Sequence, residues 1–466
     1  MWYVAATMDG QQVVGECPRC RELEARVRAL EDQVRILTAA LEESRRAEKR
    51  QAAPFRKSKR VAVPKKPGRK SGDDYGKHAR RTPPENLPVT EECVAELSPQ
   101  CPHCDSTNVA SFNATDEQFQ TEIQCRTIRR RFVVHRGYCL DCGAPLEGRH
   151  PLQTSTATGA AREQLGARAH ALMSVLNKQM GLSHGKVAWL FEKLFHLKIN
   201  RSTSVRSVER TGRRCEPAYE QIRRDVRAAE QVTPDETGWR VGGEKAWLHA
   251  FATTRATCYD IDPTRSIAPA QRLLGLDWSG WLVHDGWSVY DQFTRAIHQQ
   301  CNTHLLHRCH ELLEVARGGA ARFPQTLKDL LQKGLALRDR YEQDAISTHG
   351  LWTAAGRLIA QLDRLVQGQF THRGNRRLAQ FVARHLEDVL AYLWHPGMDA
   401  TNYQGEQSIR PAVVNRKVWG GNRTWVGARA QSVLTSVIRT CLQRGIDILD
   451  LLVQSLTHPH PVLIPP

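Results

Sequence analysis

The segment from residue 232 to 316 changes texture every few residues, in an order that few folds accommodate. VTPDETGWRV, WLHAFATT and TCYDIDP are rich in β-branched and aromatic residues and broken by glycine or proline, which predicts three strands. IAPAQRLLG then reads as a short helix, GWLVHD as a fourth strand, and WSVYDQFTRA as a second helix. IHQQC reads as a short fifth strand that runs into a helix over THLLHRCHELLEVA. The fourth strand carries a physical problem. Its apolar run Trp281-Leu282-Val283 ends almost at once in Asp285, and an ionised carboxylate at the end of a buried strand is costly unless something compensates it.

The order β-β-β-α-β-α-β-α is that of a ribonuclease-H-like fold, a mixed five-stranded sheet with helices. There the first and fourth strands lie side by side, about 4.8 Å apart. Asp235, in the first strand, therefore comes beside Asp285. Two carboxylates that close repel, and a shared divalent cation removes the conflict. Gly286 lets the backbone turn away so that a substrate can approach. The third candidate is Glu406, in DATNYQGEQSIRPAVVNRK. In a helix Asn402, Glu406 and Arg410 share one face, so a helix laid on the sheet would deliver Glu406 to the metal, with Arg410 and Lys417 placed to meet phosphates. Each residue also has an ordinary reading: Asp235 as a turn aspartate, Asp285 as a helix cap, Glu406 as half of an ion pair with Arg410.

The charge balance points to the same kind of substrate. The 466-residue chain has 66 Lys and Arg against 49 Asp and Glu, and residues 45–81 alone hold 15 against three. This 45–90 arm, rich in proline and glycine, reads as flexible and polyanion-binding. Its PGRKSG piece, with Arg69 and Lys70, suits either a minor groove or non-specific phosphate contact. Ahead of it, residues 1–44 contain Leu23, Val27, Leu30, Val34, Leu37 and Leu41 at 4-3-4-3-4 spacing, a heptad seam that either pairs with a second copy or packs as a lone amphipathic helix. Thirteen cysteines and no export signal argue against a disulfide framework and for a cytoplasmic, nucleoid-associated protein, and no run is long enough to span a membrane. Cys101, Cys104, Cys139 and Cys142, in residues 91–150, form two CxxC pairs whose 34-residue gap an extended hairpin should fill; the expectation is a zinc ribbon with structural Zn2+. Residues 151–228 read as helical, with Val187, Leu190, Phe191 and Leu194 at helical spacing and a turn at INRS. That segment is either a helix-turn-helix for DNA or a helical hairpin packed on the next domain. The catalytic core spans 229–310 and 396–466 around an all-α insertion at 311–395, in which Trp352 and Trp394 read as core residues.

With PDETGWRV, WLVHDGWSVYDQF, QQCNTHLLHRCHEL and TNYQGEQSIRPAVVNRKVWGGNRT on the page, the chain resembles the bacterial insertion-sequence transposases of the IS-sixty-six family, whose catalytic domain is a DDE transposase. The resemblance runs over essentially the whole chain. It implies a metal-binding triad at Asp235, Asp285 and Glu406, holding Mg2+ or Mn2+ for cleavage and strand transfer of DNA. It also implies a structural CxxH element at Cys301 and His304, and a polar surround of Asn402, Arg410, Arg416 and Lys417. The implied partners are element-end and target DNA, a second copy of the chain or more, and small accessory proteins of the same element. One departure stands out: seven residues after the glutamate, where many such enzymes carry Lys or Arg, this chain has Val413, so Arg410 or Lys417 must take the DNA-contact role. His307 and His310 belong to a solvated helix face. The alternatives are a DNA-binding regulator or inactive remnant without catalysis, and a nuclease that cuts without joining strands.

Overall fold

The computed structural model describes residues 88–110, 117–153 and 164–466, together with scattered positions between 19 and 34. The chain divides into two units, Met1–Gln124 and Cys125–Pro466. In the first, the described positions between 19 and 34 are helical, and Leu23, Val27, Leu30 and Val34 stay more than half exposed, so the front of the heptad seam is uncovered. Leu37, Leu41 and the basic arm with Arg69 and Lys70 lie outside the described residues.

The second unit opens with a small hairpin, β1 (Arg136–Tyr138) and β2 (Pro145–Glu147), paired antiparallel. It surrounds the Cys139–Cys142 turn; the described part of the gap between the two CxxC pairs, expected to fill with strand, contains no other one. Arg129, Arg130 and Arg131 there are all exposed, and a segment with no buried face lacks the apolar gain that holds strands together.

Four helices follow: α1 (Ala167–Lys178), α2 (His184–Phe195), α3 (Arg201–Arg214) and α4 (Glu216–Arg227). His196, at φ +51°, ends α2, and the Asn200 side chain accepts from the Thr203 N–H to start α3, so the expected turn is present. α3 buries Ser204, Ser207, Thr211 and Gly212. A Cβ at Gly212 would stand 3.0 Å from that of Ala430, so this face is a close helix-on-helix contact with the core.

The core sheet has β3 (Gln231–Val241), β4 (Glu244–Ala252), β5 (Thr257–Asp262), β6 (Trp281–His284) and β7 (Ile297–Gln300) in the order β5-β4-β3-β6-β7. The first three are antiparallel, and β6 and β7 run parallel to β3. This is the ribonuclease-H-like arrangement expected from the sequence. Gly242 and Gly243, at φ +63° and +91°, form the two-residue turn joining β3 to β4, a shape that only glycine adopts freely at both positions.

The helices complete the layers: α5 (Ala268–Leu274), α6 (Asn302–Val315), α7 (Arg322–Glu342), α8 (Thr348–Val366), α9 (Arg373–Arg384), α10 (Tyr403–Trp419), α11 (Trp425–Arg444) and α12 (Ile448–Thr457). One core joins Val232, Phe251 and Leu282 of the sheet to Tyr219 and Ile222 of α4 and Val433, Leu434 and Val437 of α11. Another joins Trp239, Leu248 and Tyr259 to Ile409, Ala412 and Val413 of α10, which explains why the position seven after Glu406 is apolar. A third packs α7, α8 and α9 against Val283 of β6 and Leu305 of α6, as expected for an all-α insertion. Along β5, the Thr257 and Tyr259 N–H groups donate to Thr440 and Ser436 of α11, which satisfies that edge of the sheet.

Two further expectations fail. WSVYDQFTRA is only a five-residue 3₁₀ turn, Ser288–Gln292, because Tyr290 is buried under the sheet and Phe293 ends the segment inside the core. Trp352 and Trp394 are 44% and 37% exposed, so neither is a core residue; Leu351 and Leu393 beside them take the buried positions. Among the described residues no helix is long and apolar enough to cross a membrane.

Candidate active site

The parallel pairing of β3 with β6 matches Gln231 to Trp281 and Val232 to Leu282, and the two strands then lead to Asp235 and Asp285, close enough that the charge of Asp285 acts on Asp235. Asp285 leaves the end of β6 in a tight turn. Its Oδ1 accepts from the Trp287 N–H at 3.0 Å, and Gly286 has φ +88°. A Cβ at Gly286 would come within 2.8 Å of the Phe381 ring, so this turn needs glycine for both conformation and space.

A buried chain of imidazoles supports the turn. The Gly286 N–H donates to Nδ1 of His284, whose Nε2 lies 3.1 Å from Nδ1 of His298, and Nε2 of His298 meets the Phe293 carbonyl at 3.0 Å. These contacts are all satisfied if both rings are neutral with the proton on Nε2. Burial pulls His284 down to about 3, with His298 and His385 adding to the effect, in keeping with that state.

Glu406 enters from the opposite side of β3. It stands in the first turn of α10, whose N-cap is the buried Asn402. Gly405 makes the approach possible: a Cβ there would lie 3.2 Å from the Thr233 carbonyl and 3.3 Å from Cβ of Asp235. The Asn402 N–H donates to Sγ of Cys301 at 3.3 Å, and Nε2 of His304 lies 3.7 Å from Oε1 of Glu406. Cys301 and His304 thus join α6 to the start of the glutamate helix. Contact with the Cys301 thiol raises His304 to about 9 against the opposing effect of burial, and Asp285 and Glu406 add to the rise. His304 is thereby drawn toward its protonated form beside the carboxylates.

Asp235 is where the electrostatic cost collects. Among the described residues its carboxylate accepts one hydrogen bond, from the Glu236 N–H at 2.8 Å. Burial, then the charges of Glu236 and Asp285, and finally that of Glu406, push its carboxyl up to about 8. Among the described residues, no three His, Cys, Asp or Glu side chains are drawn close enough together to form a finished metal site. The donor chemistry nevertheless suits a hard divalent cation: all-oxygen ligands, and a buried carboxyl whose neighbours repel its charge.

Glu236, adjacent in sequence, was not among the residues singled out. Strand alternation turns it to the other face, where Nε and Nη2 of Arg265 donate to its Oε1 at 3.1 and 2.6 Å and the Tyr290 hydroxyl donates to Oε2 at 3.3 Å. Arg265 lies 4.5 Å over the ring of Trp287 and 5.1 Å over that of Trp247. The acidic pair in PDET was the available signal; its arginine, 29 residues away, was not legible.

Of the expected phosphate-contact residues, Arg410 and Lys417 are exposed on α10, and Nη1 of Arg416 reaches Oγ1 of Thr237 at 3.5 Å. His307 and His310 lie on the solvated face of α6 opposite Glu311 and Glu314, as expected.

The cysteine pairs make two turns of one design. Asp105 N–H donates to the Cys101 carbonyl and Gly143 N–H to the Cys139 carbonyl, both at 2.9 Å, and both donors have positive φ. Cys101 is held below the usual thiol range by the His103 N–H first, and Cys139 by the Cys142 N–H first. The two turns fall in different units of the chain.

A family model described as "Transposase IS66 family" matches residues 162–430. The chain belongs to the IS66 family of transposases. The matched stretch runs from just before α1 into α11 and contains Asp235, Asp285, Glu406, Cys301 and His304. No curated protein matches the chain. Membership makes it a transposase by family, a class of enzymes that act on DNA.

Proposed function

We propose that this IS66-family transposase cuts and rejoins DNA by phosphoryl transfer at Asp235, Asp285 and Glu406. The observation that carries the reading is the half-buried, poorly compensated carboxyl of Asp235, subject to the charge of Asp285 and approached by the Glu406 helix at Gly405. These carboxylates would hold Mg2+ or Mn2+, which supplies activation of water and neutralises charge on the departing oxygen. Asp235 must give up its proton to serve as a ligand. His304 steadies Glu406 by charge, and the Asp285–Trp287 hydrogen bond fixes the second carboxylate. In the first reaction a water oxygen bonds to phosphorus as the bond to the 3′ oxygen breaks, leaving a free 3′-OH. In the second, that 3′ oxygen bonds to a target phosphorus and a target 3′ oxygen departs. Arg410, Arg416 and Lys417 would contact the phosphates alongside.

The sequence features outside the core extend the proposal. Cutting two ends together requires two copies, and the exposed residues Leu23, Val27, Leu30 and Val34 suit a homotypic seam. Arg69 and Lys70 would grip DNA through the arm. Zn2+ at Cys101, Cys104, Cys139 and Cys142 would be structural; about one zinc per chain, lost on replacing these cysteines by serine, is the expected assay result.

The deciding experiment supplies labelled element-end DNA with Mg2+ or Mn2+ to the wild type and to Asp285→Asn. Cleavage should disappear in the variant while DNA binding persists. Equal cleavage by both would remove the triad assignment and leave a DNA-binding protein.

A further inference from the structure

The all-α insertion carries a feature that the triad does not use. Residues 322–384 hold 11 Lys and Arg against five Asp and Glu. Some of these cations are engaged locally: Arg338 donates to Asp339 at 2.7 Å and approaches Glu342, and Arg364 donates to the Ala360 carbonyl. Lys333, Arg340 and Arg357 are not; all three are exposed, with no side-chain hydrogen bond or ion pair among the described residues. They line one groove of about 320 Å³ between α7 and α8, over a floor that includes Ala336, Leu337 and Leu358.

The geometry points to a binding site for the phosphodiester backbone of DNA in this groove. Lys333 and Arg340 are seven residues apart on one helix, so they stand about 10 Å apart along its axis at 1.5 Å per residue. A DNA strand places a phosphate about every 3.4 Å of axis, so that interval spans roughly three phosphates. A single compact anion would be held by converging donors. Cations strung out along a helix, with a third facing them across an apolar floor, suit an extended polyanion whose sugars lie over the alanine and leucine side chains. No acidic side chain lines the groove to oppose it.

The insertion is also rigidly linked to the candidate active site. α7 and α8 share a core with Val283, two residues before Asp285, and with Leu305, next to His304. DNA held in the groove is therefore held at a fixed setting relative to the carboxylates. The inference rests on the transposase reading for its partner, DNA, and not on the triad.

The test uses the full chain without divalent metal, a long mixed-sequence duplex as probe, and salt titrated from about 50 to 200 mM, the range in which phosphate contacts dominate affinity. The groove variant is Lys333→Gln/Arg340→Gln/Arg357→Gln. The control removes three exposed cations elsewhere: Arg149→Gln/Lys245→Gln/Arg255→Gln. Melting curves verify that both triple variants are folded. The groove variant should lose about 2–3 from the slope of log affinity against log salt, at close to 0.9 for each lost phosphate contact, while the control keeps the wild-type slope. An unchanged slope in the folded groove variant, as expected if the groove takes an acidic protein instead, overturns the inference. So does an equal loss in the control. Neither result bears on Asp285→Asn cleavage, so a failure here and a failure of the triad are separable.

Discussion

Asp235 and Glu236 are neighbours in one strand, both half-buried, and desolvation raises both carboxyls. On one face Glu236 receives Nε and Nη2 of Arg265 and a tyrosine hydroxyl, and two tryptophan rings lie within 5.1 Å of the guanidinium. On the other face Asp235 has one backbone N–H and the negative charge of three acidic neighbours. Folding alone would favour compensating both or burying neither. A carboxylate kept uncompensated beside one paired with a cation makes the first a candidate binding position.

Four substitutions would break or sharpen that contrast. The largest effect is expected for Asp285→Asn, which removes a proposed ligand: end cleavage should fall by about a thousandfold, the loss of several kcal/mol of transition-state stabilisation, with little change in DNA affinity. Next is Arg265→Ala, which strips Glu236 of its cation and should destabilise the fold by about 2 kcal/mol in urea unfolding, less than a fully buried pair because the Arg265 side chain is 41% exposed while that of Glu236 is buried. A wild-type unfolding midpoint would show that Glu236 is not a structural pair. Gly405→Val comes third. It wedges a side chain between α10 and the Thr233 carbonyl, at a cost of about 1–3 kcal/mol for overpacking, and it should impair cleavage by moving Glu406 away from Asp235. Gly405→Val with full activity would mean that the close approach is not required.

The smallest effect is expected at His170, a buried base with no proposed chemistry. Its Nδ1 meets Oγ of Ser207 at 2.7 Å, and Arg210 donates toward Nε2. Burial first, and Arg210 second, lower it from 6.5 to about 4. The unfolded chain therefore takes up the proton first, so this contribution is complete above about pH 6.5 and is lost as pH falls toward 4. His170→Gln should lose melting temperature less steeply than the wild type across that window, and parallel curves would show that His170 is not responsible.

The strand order was legible because it depends on local signals, runs of β-branched residues and glycine breaks, and polar residues at the ends of apolar runs are what marked Asp235 and Asp285 as candidates. Val413 looked like a departure in the sequence and is explained by packing under the sheet. The features that were not legible depend on long-range partners. WSVYDQFTRA has helical composition, yet burial of Tyr290 and Phe293 shortens it to a single turn. Arg265 finds Glu236 only after two strands have paired. Trp352 and Trp394 lost their expected burial because helix faces are assigned by the neighbours that arrive, here the leucines next to them.

The hydroxyls of α11 that cap β5 have a consequence for assembly. At the other margin of the sheet, the Gln300 N–H at the end of β7 donates to the Asp388 carbonyl. With backbone donors at both margins already engaged, β5 and β7 are poor templates for a strand offered by another molecule. If two copies meet on a pair of DNA ends, as proposed, helices or the DNA itself suit the contact better than these margins.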